Sequence, residues 1–220
     1  MIKRGLDFTE LLAKDPLKDF FVWWDDISAA DVKAFEKRLR TARTEHDLQS
    51  FLESNPKLLI QHVRGSHARY VIPQKRLGAE YVTDFMIGGK HSGGFEWQAV
   101  ELESSKAPMF NKSGYPGKYL MHAIFQILDW RAWLQRNQNY AARLLAEGGL
   151  GLTDIVARVP GLILIGRRGE IDPSTNERRR QLVNELAIEI HSYDFLLEWA
   201  KGRIHAKATS QGTDEEGKNA

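Results

Sequence analysis

The sequence predicts a mixed α/β domain behind a helical lead-in. Three observations carry that expectation: helix-start signals ahead of residue 54, apolar and alternating runs between residues 70 and 103, and a long stretch of helical periodicity after residue 118. In the lead-in, Phe8, Leu11 and Leu12 give a short apolar stripe, and Ser28 and Asp31 have the spacing of a capping box that opens a helix to about Arg43. Thr44 and Asp47 signal a second start, with Leu48, Phe51 and Leu52 as the apolar face and Asn55-Pro56 as the stop.

The middle of the chain changes character. Tyr70–Ile72, Tyr81–Ile87 and Phe95–Glu103 read as extended, the last two forming a hairpin through a glycine-rich turn from Gly88 to Gly94. A long helix is expected from Lys118 to about Asn137, because Leu120, Ile124, Ile127, Leu128 and Leu134 line one face. A shorter helix follows around Tyr140–Ala146, ending at Gly148-Gly149. Then come a buried-type strand at Leu162–Gly166, a helix from Asp172-Pro173 to about Leu186, a short strand at Ala187–Ile190 and a helix at Tyr193–Lys201. From His205 onward polar residues dominate, so 205–220 is expected to be a disordered tail, with 1–43 as the helical extension and 44–204 as the main domain.

Composition narrows the chemistry. At 220 residues and 42% hydrophobic, the chain can bury one main core. It has no cysteine, which excludes disulfides, iron–sulfur clusters and thiolate zinc and leaves oxygen or imidazole ligands for any metal. Apolar runs such as Val159 to Ile165 fall far short of the roughly 20 residues that span a bilayer, and the N-terminus leads into acids rather than an apolar signal core. A soluble, cytoplasmic protein is expected. A net charge of +2 is too balanced to announce nucleic-acid binding by itself, so local features must carry that argument.

In the strand ending at Glu103, the two-residue period puts Trp97, Ala99, Glu101 and Glu103 on one face and Gln98, Val100 and Leu102 on the other. Asp84 shares its face with Val82 and Met86, an apolar setting in which a carboxylate needs a compensating charge. A hairpin with Asp on one strand and Glu-x-Glu on the next suits phosphodiester hydrolysis, where carboxylates hold one or two divalent metals. On spacing alone, a solvated sheet face bearing Glu101 and Glu103, with Asp84 opening a turn, accounts for the same residues.

The order of motifs then carries a resemblance. Thr83-Asp84-Phe85, Val100-Glu101-Leu102-Glu103 and a helix bearing Gln126 and Trp130 resemble the PD-(D/E)XK nuclease core. Phe51 to Pro56, His122 to Trp130 and Ile190 to Leu196 are similar to the C-terminal domain of Shedu antiphage defence proteins, over about Thr44 to Lys201. The resemblance implies a restriction-endonuclease-like mixed sheet flanked by helices and a Mg²⁺- or Mn²⁺-dependent nuclease. Asp84 would be the central metal ligand, Glu101 the second and the Leu102 carbonyl a third. Glu103 departs from the pattern, which usually has Lys there; a carboxylate can serve as ligand or as base for the water. Lys106 could supply the missing cation, although an ordinary surface lysine is the commoner explanation.

On the long helix, His122, Gln126, Asp129 and Trp133 fall on one face, with Trp130 at its edge. By the resemblance, Gln126 and Trp130 would border the site and contact water or stack on nucleic acid; packing of Trp130 and Trp133 against the N-terminal helices is the competing reading. The superfamily often adds an acid from the preceding helix, and Glu53 fits that role better than Glu45, whose place in the first helical turn is already explained by the helix dipole. Lys75-Arg76 and Arg167-Arg168 are the basic pairs placed to track phosphates, with solvated faces as the alternative. The expected function is therefore cleavage of nucleic acid, DNA foremost, in antiphage defence, with homo-oligomerisation left open. The alternative is a degenerate nucleic-acid-binding or oligomerisation module.

Overall fold

A computed structural model describes residues 6–63 and 65–216, with the side chains of residues 6–8, 11 and 210–216 outside the description. The side chains of the apolar stripe at Phe8 and Leu11, and the last four residues of the tail, thus lie outside the described residues. The helices are α1 (Leu6–Ala13), α2 (Ala29–Thr41), α3 (Glu45–Ser54), α4 (Lys118–Ala142), α5 (Asn176–Leu186) and α6 (Asp194–Glu216). The strands are β1 (Ala68–Pro73), β2 (Arg76–Leu77), β3 (Tyr81–Val82), β4 (Phe85–His91), β5 (Gly94–Leu102), β6 (Gly161–Leu164) and β7 (Ile188–His191).

Both expected capping boxes form. Ser28 and Asp31 exchange side-chain and backbone bonds at the start of α2, and Thr44 and Asp47 do the same for α3. Each satisfies two otherwise orphaned amides, which fixes where these helices begin.

A five-stranded sheet in the order β1-β4-β5-β6-β7 organises the fold. β1, β4 and β5 pair antiparallel, whereas β5–β6 and β6–β7 are parallel. The alternation of side chains sorts the apolar residues into two layers. Tyr70, Ile72, Met86, Trp97, Ala99, Ile163 and Ile190 pack on one face with Ile124, Ile127 and Leu134 of α4. Val71, Phe85, Ile87, Val100, Leu102, Leu162 and Leu164 pack on the other with Phe35 of α2, Leu48 and Leu52 of α3 and Leu196 of α6. α2, in the stretch expected as an extension, thus shares an apolar layer with the sheet. At Gly161 an added Cβ would stand 2.8 Å from the Ile127 side chain, so glycine there lets α4 lie close on β6.

Several boundaries differ from the sequence reading, each for a local reason. The run Tyr81–Ile87 is not one strand: β3 pairs with β2 in a separate ladder, and the chain breaks at Thr83-Asp84 before β4 begins. Gly88 and Gly89 are not turn residues but lie within β4, since the Trp97 ring opposite covers Gly88 so closely that a Cβ would sit 2.6 Å from it. The helix expected at Tyr140–Ala146 is the last part of α4, continued past a non-helical Asn137, followed by a 3-10 turn at Leu145–Glu147. α6 runs on to Glu216, where a tail without regular structure was expected from His205. Among the described residues, no helix is long and apolar enough to cross a membrane.

α4 is also tied to the sheet by charge. The buried Arg131 donates from Nε to the Val159 carbonyl at 2.9 Å, and from its two terminal nitrogens to Leu186 at 2.6 Å and Ala187 at 2.9 Å. These carbonyls flank β6 and the α5–β7 turn. Replacing Arg131 by Leu removes one donor from each of them, and a loss of about 3 kcal/mol in unfolding free energy is expected by urea denaturation.

Candidate functional site

The site is built at the C-terminal end of β5, where the sheet's pairing changes. β4 begins at Phe85, opposite Val100, so the next ladder position on that edge belongs to Leu102. Thr83, which would continue the ladder, gives its N–H to the Lys75 carbonyl instead, at 3.0 Å. The Leu102 N–H is taken by the Asp84 carboxylate, with Oδ2 accepting at 2.7 Å. The same break therefore brings Asp84 onto β5 and leaves the Leu102 carbonyl beyond the ladder. On its other edge β5 stays paired with β6, Glu101 opposite Ile163, and the Glu103 N–H reaches the Leu164 carbonyl at 2.9 Å.

Glu101 and Glu103 are both buried, 6% and 4% exposed, which rules out the solvated-face reading for them. The Glu101 and Asp84 side chains share a hydrogen bond. Burial pushes the Glu101 carboxyl far above the usual carboxylate range, and the charge on Asp84 pushes it further. Burial also raises Asp84, but the hydrogen bonds it accepts from Leu102 and Glu101 hold it lower than its partner. Glu103 is raised by burial and opposed by His122, whose Nδ1 lies 2.9 Å from Oε1. Beneath the cluster, the fully buried Tyr193 donates its hydroxyl to the Glu103 carbonyl at 2.8 Å. Its own ionisation is pushed far up by burial and by the surrounding carboxylates.

A fourth acid comes from α3. Burial and the charges of Asp84 and Glu103 raise Glu45, the first residue of that helix, to about 7. Glu53, the acid favoured from sequence, is held elsewhere: its Oε1 accepts from Gln74 at 2.9 Å and from Gln49 at 3.4 Å, although its charge is still felt at Asp84. The dipole argument that set Glu45 aside explains its place in the first turn but says nothing of where that turn points. His122 stands in the sequence motif without a role, and the structure brings it to Glu103.

The remaining expected residues divide. Gln126 is half-buried one turn beyond His122 on α4, and Lys106 is exposed just past the end of β5. Trp130 is 1% exposed in the α4-facing core, so it cannot stack on a nucleic acid and packs as an ordinary core residue. Lys75 donates Nζ to the Leu150 carbonyl at 2.6 Å, Arg167 is bonded through two nitrogens to Asp194, and Arg168 to Glu198. These three cations already have structural partners, whereas Arg76 is exposed on β2.

The donor set fits a divalent cation. Two buried carboxylates and the half-buried Asp84 converge beside an exposed imidazole, and among the described residues the only ion pair made by Asp84, Glu101 or Glu103 is the contact of Glu103 with His122. Glu101, Glu103 and His122 each offer a ligand atom, all within 4.8 Å of one another. Hard oxygen donors crowded without a lysine or arginine partner are the environment a cation stabilises.

Fold and site together define a mixed α/β domain with a carboxylate cluster where its central strand leaves the antiparallel ladder. The chain belongs to the family described as Shedu protein SduA, C-terminal, which matches residues 42–197. Among solved structures, the chain is similar to one described as the structure of restriction endonuclease FokI, with 11% sequence identity and a TM-score of 0.41 over 89% of this chain. It spans 31% of that chain's length. No curated protein matches.

Two measurements test this geometry. Glu45 is raised in the folded state, so its contribution to stability is full below its unfolded value of 4.5 and is lost as pH rises through about 7. The metal-free protein is therefore expected to lose thermal stability across that window, and Glu45→Gln to flatten the loss in a scan of Tm against pH. Tyr193→Phe removes one buried bond and is expected to cost about 1 kcal/mol in denaturant unfolding.

Proposed function

We propose that this domain is a metal-dependent nuclease that hydrolyses phosphodiester bonds of nucleic acid, DNA foremost, in antiphage defence. The observation that carries the reading is the convergence of Asp84, Glu101 and Glu103 at one strand end, the two glutamates buried and Asp84 half-buried, without a lysine or arginine ion pair among the described residues. Family membership supports the defence role.

In this reading, the carboxylates of Asp84, Glu101 and Glu103 and the carbonyl of Leu102 hold Mg²⁺ or Mn²⁺. The bound cation supplies Lewis-acid charge to the scissile phosphate and the attacking water. The chain's own residues do the rest. Glu103, steadied by His122 and by the Tyr193 bond to its carbonyl, presents an oxygen that can accept a proton from water. Glu45 offers a second proton acceptor near neutral pH. Gln126 can orient the water or a phosphate oxygen, and Lys106 and Arg76, both exposed, are the cations available to flanking phosphates.

The Asp84 carboxylate accepts its bond from the Leu102 N–H, a role that an amide oxygen can keep, so Asp84→Asn preserves shape while removing charge. Asp84→Asn and Glu101→Gln are each expected to lower metal-dependent cleavage of linear or supercoiled DNA by a factor on the order of a thousand, with circular dichroism unchanged. Full cleavage by either variant, or undiminished cleavage in excess EDTA, would overturn the assignment. A folded protein that binds DNA with no cleavage under any divalent ion would instead favour the degenerate binding module.

A further inference from the structure

The position after Leu102 holds a carboxylate where the resemblance leads one to expect a lysine, and the structure pairs that carboxylate with an imidazole. A protonated lysine has no lone pair with which to ligate a cation; a glutamate and a histidine both have one. The ligand atoms of Glu101, Glu103 and His122 lie within 4.8 Å of one another. Small divalent ions hold donors at about 2.0–2.2 Å, so ligands on opposite sides stand roughly 4 Å apart. Only small side-chain shifts separate the observed triad from a coordinating one. His122 can make them, because its side chain is 63% exposed and its known polar contact is with Glu103 itself. The backbone that carries it is fixed by the Arg131 ties and by the close packing of α4 on β6.

Donor chemistry then discriminates between ions. Mg²⁺ prefers oxygen and keeps much of its water, whereas first-row transition ions accept imidazole readily. We propose that His122 is a direct ligand of the site's cation together with Glu101 and Glu103, and that this nitrogen makes the site select Mn²⁺ over Mg²⁺. The inference rests on the reading that the acid cluster holds a divalent cation, and it adds the ligand set and the choice of ion.

The test is binding to the full chain, read without cleavage. Mn²⁺ is titrated against the protein with free ion followed by electron paramagnetic resonance, Mg²⁺ is added as competitor, and bound Mn²⁺ is examined by pulsed methods for ¹⁴N coupling. The expected result is one nitrogen-coupled Mn²⁺ that resists displacement by equimolar Mg²⁺. In His122→Ala the ¹⁴N signal should vanish and Mn²⁺ affinity fall about tenfold or more, at least the loss seen for residues that merely support a ligand. Mg²⁺ affinity should change little. Bound Mn²⁺ without nitrogen coupling, or a variant that keeps its Mn²⁺ affinity, overturns the role of His122 and leaves the nuclease reading standing. Failure of the wild-type chain to bind either ion overturns both.

Discussion

The bond from the Asp84 carboxylate to the Leu102 amide is the contact on which the site depends. A strand that outruns its neighbour exposes donors that must be satisfied, and here the satisfying group is a side chain rather than backbone. That exchange has three effects at once. It ends the β4–β5 ladder, leaves the Leu102 carbonyl without a ladder donor, and brings a third carboxylate beside Glu101 and Glu103. Thr83 makes the exchange possible by turning its own N–H back to Lys75.

Concentrating carboxylates in a buried place opposes folding, and the fold manages this by sharing protons rather than by adding basic residues. Burial favours the neutral form of Glu101 beside Asp84, His122 faces Glu103, and Tyr193 supports the backbone beneath. Three of the four cations that the sequence aimed at substrate serve the scaffold instead, Lys75 on the Leu150 carbonyl and Arg167 and Arg168 holding the start of α6. Stability and function thus draw on separate sets of charges. One set is neutralised inside the fold, and the other is left in a state that a cation can complete.

Much of this was legible in the sequence because the relevant signals are local. Capping boxes mark α2 and α3, period two puts Glu101 and Glu103 together, and period 3.6 marks α4 as far as Asn137, where its backbone does leave helical geometry. What was not legible depends on partners distant along the chain. Gly88 reads as a turn until Trp97 is placed over it, and Trp130 reads as a stacking surface until the sheet covers it. Glu45 and Glu53 lie on one helix, and only the docking of α3 decides which of them meets β5. Arg167 and Arg168 look free because Asp194 and Glu198 come later in the chain.

β5 is held in opposite senses along its two edges, antiparallel to β4 and parallel to β6. A slip by one residue would have to break both ladders together, and it would also turn Glu101 and Glu103 into the apolar layer that holds Phe35 and Leu52. The strand therefore works as a ruler clamped at both margins. Insertions and deletions can accumulate in the loops on either side of it, and the separation of the two glutamates will stay the same.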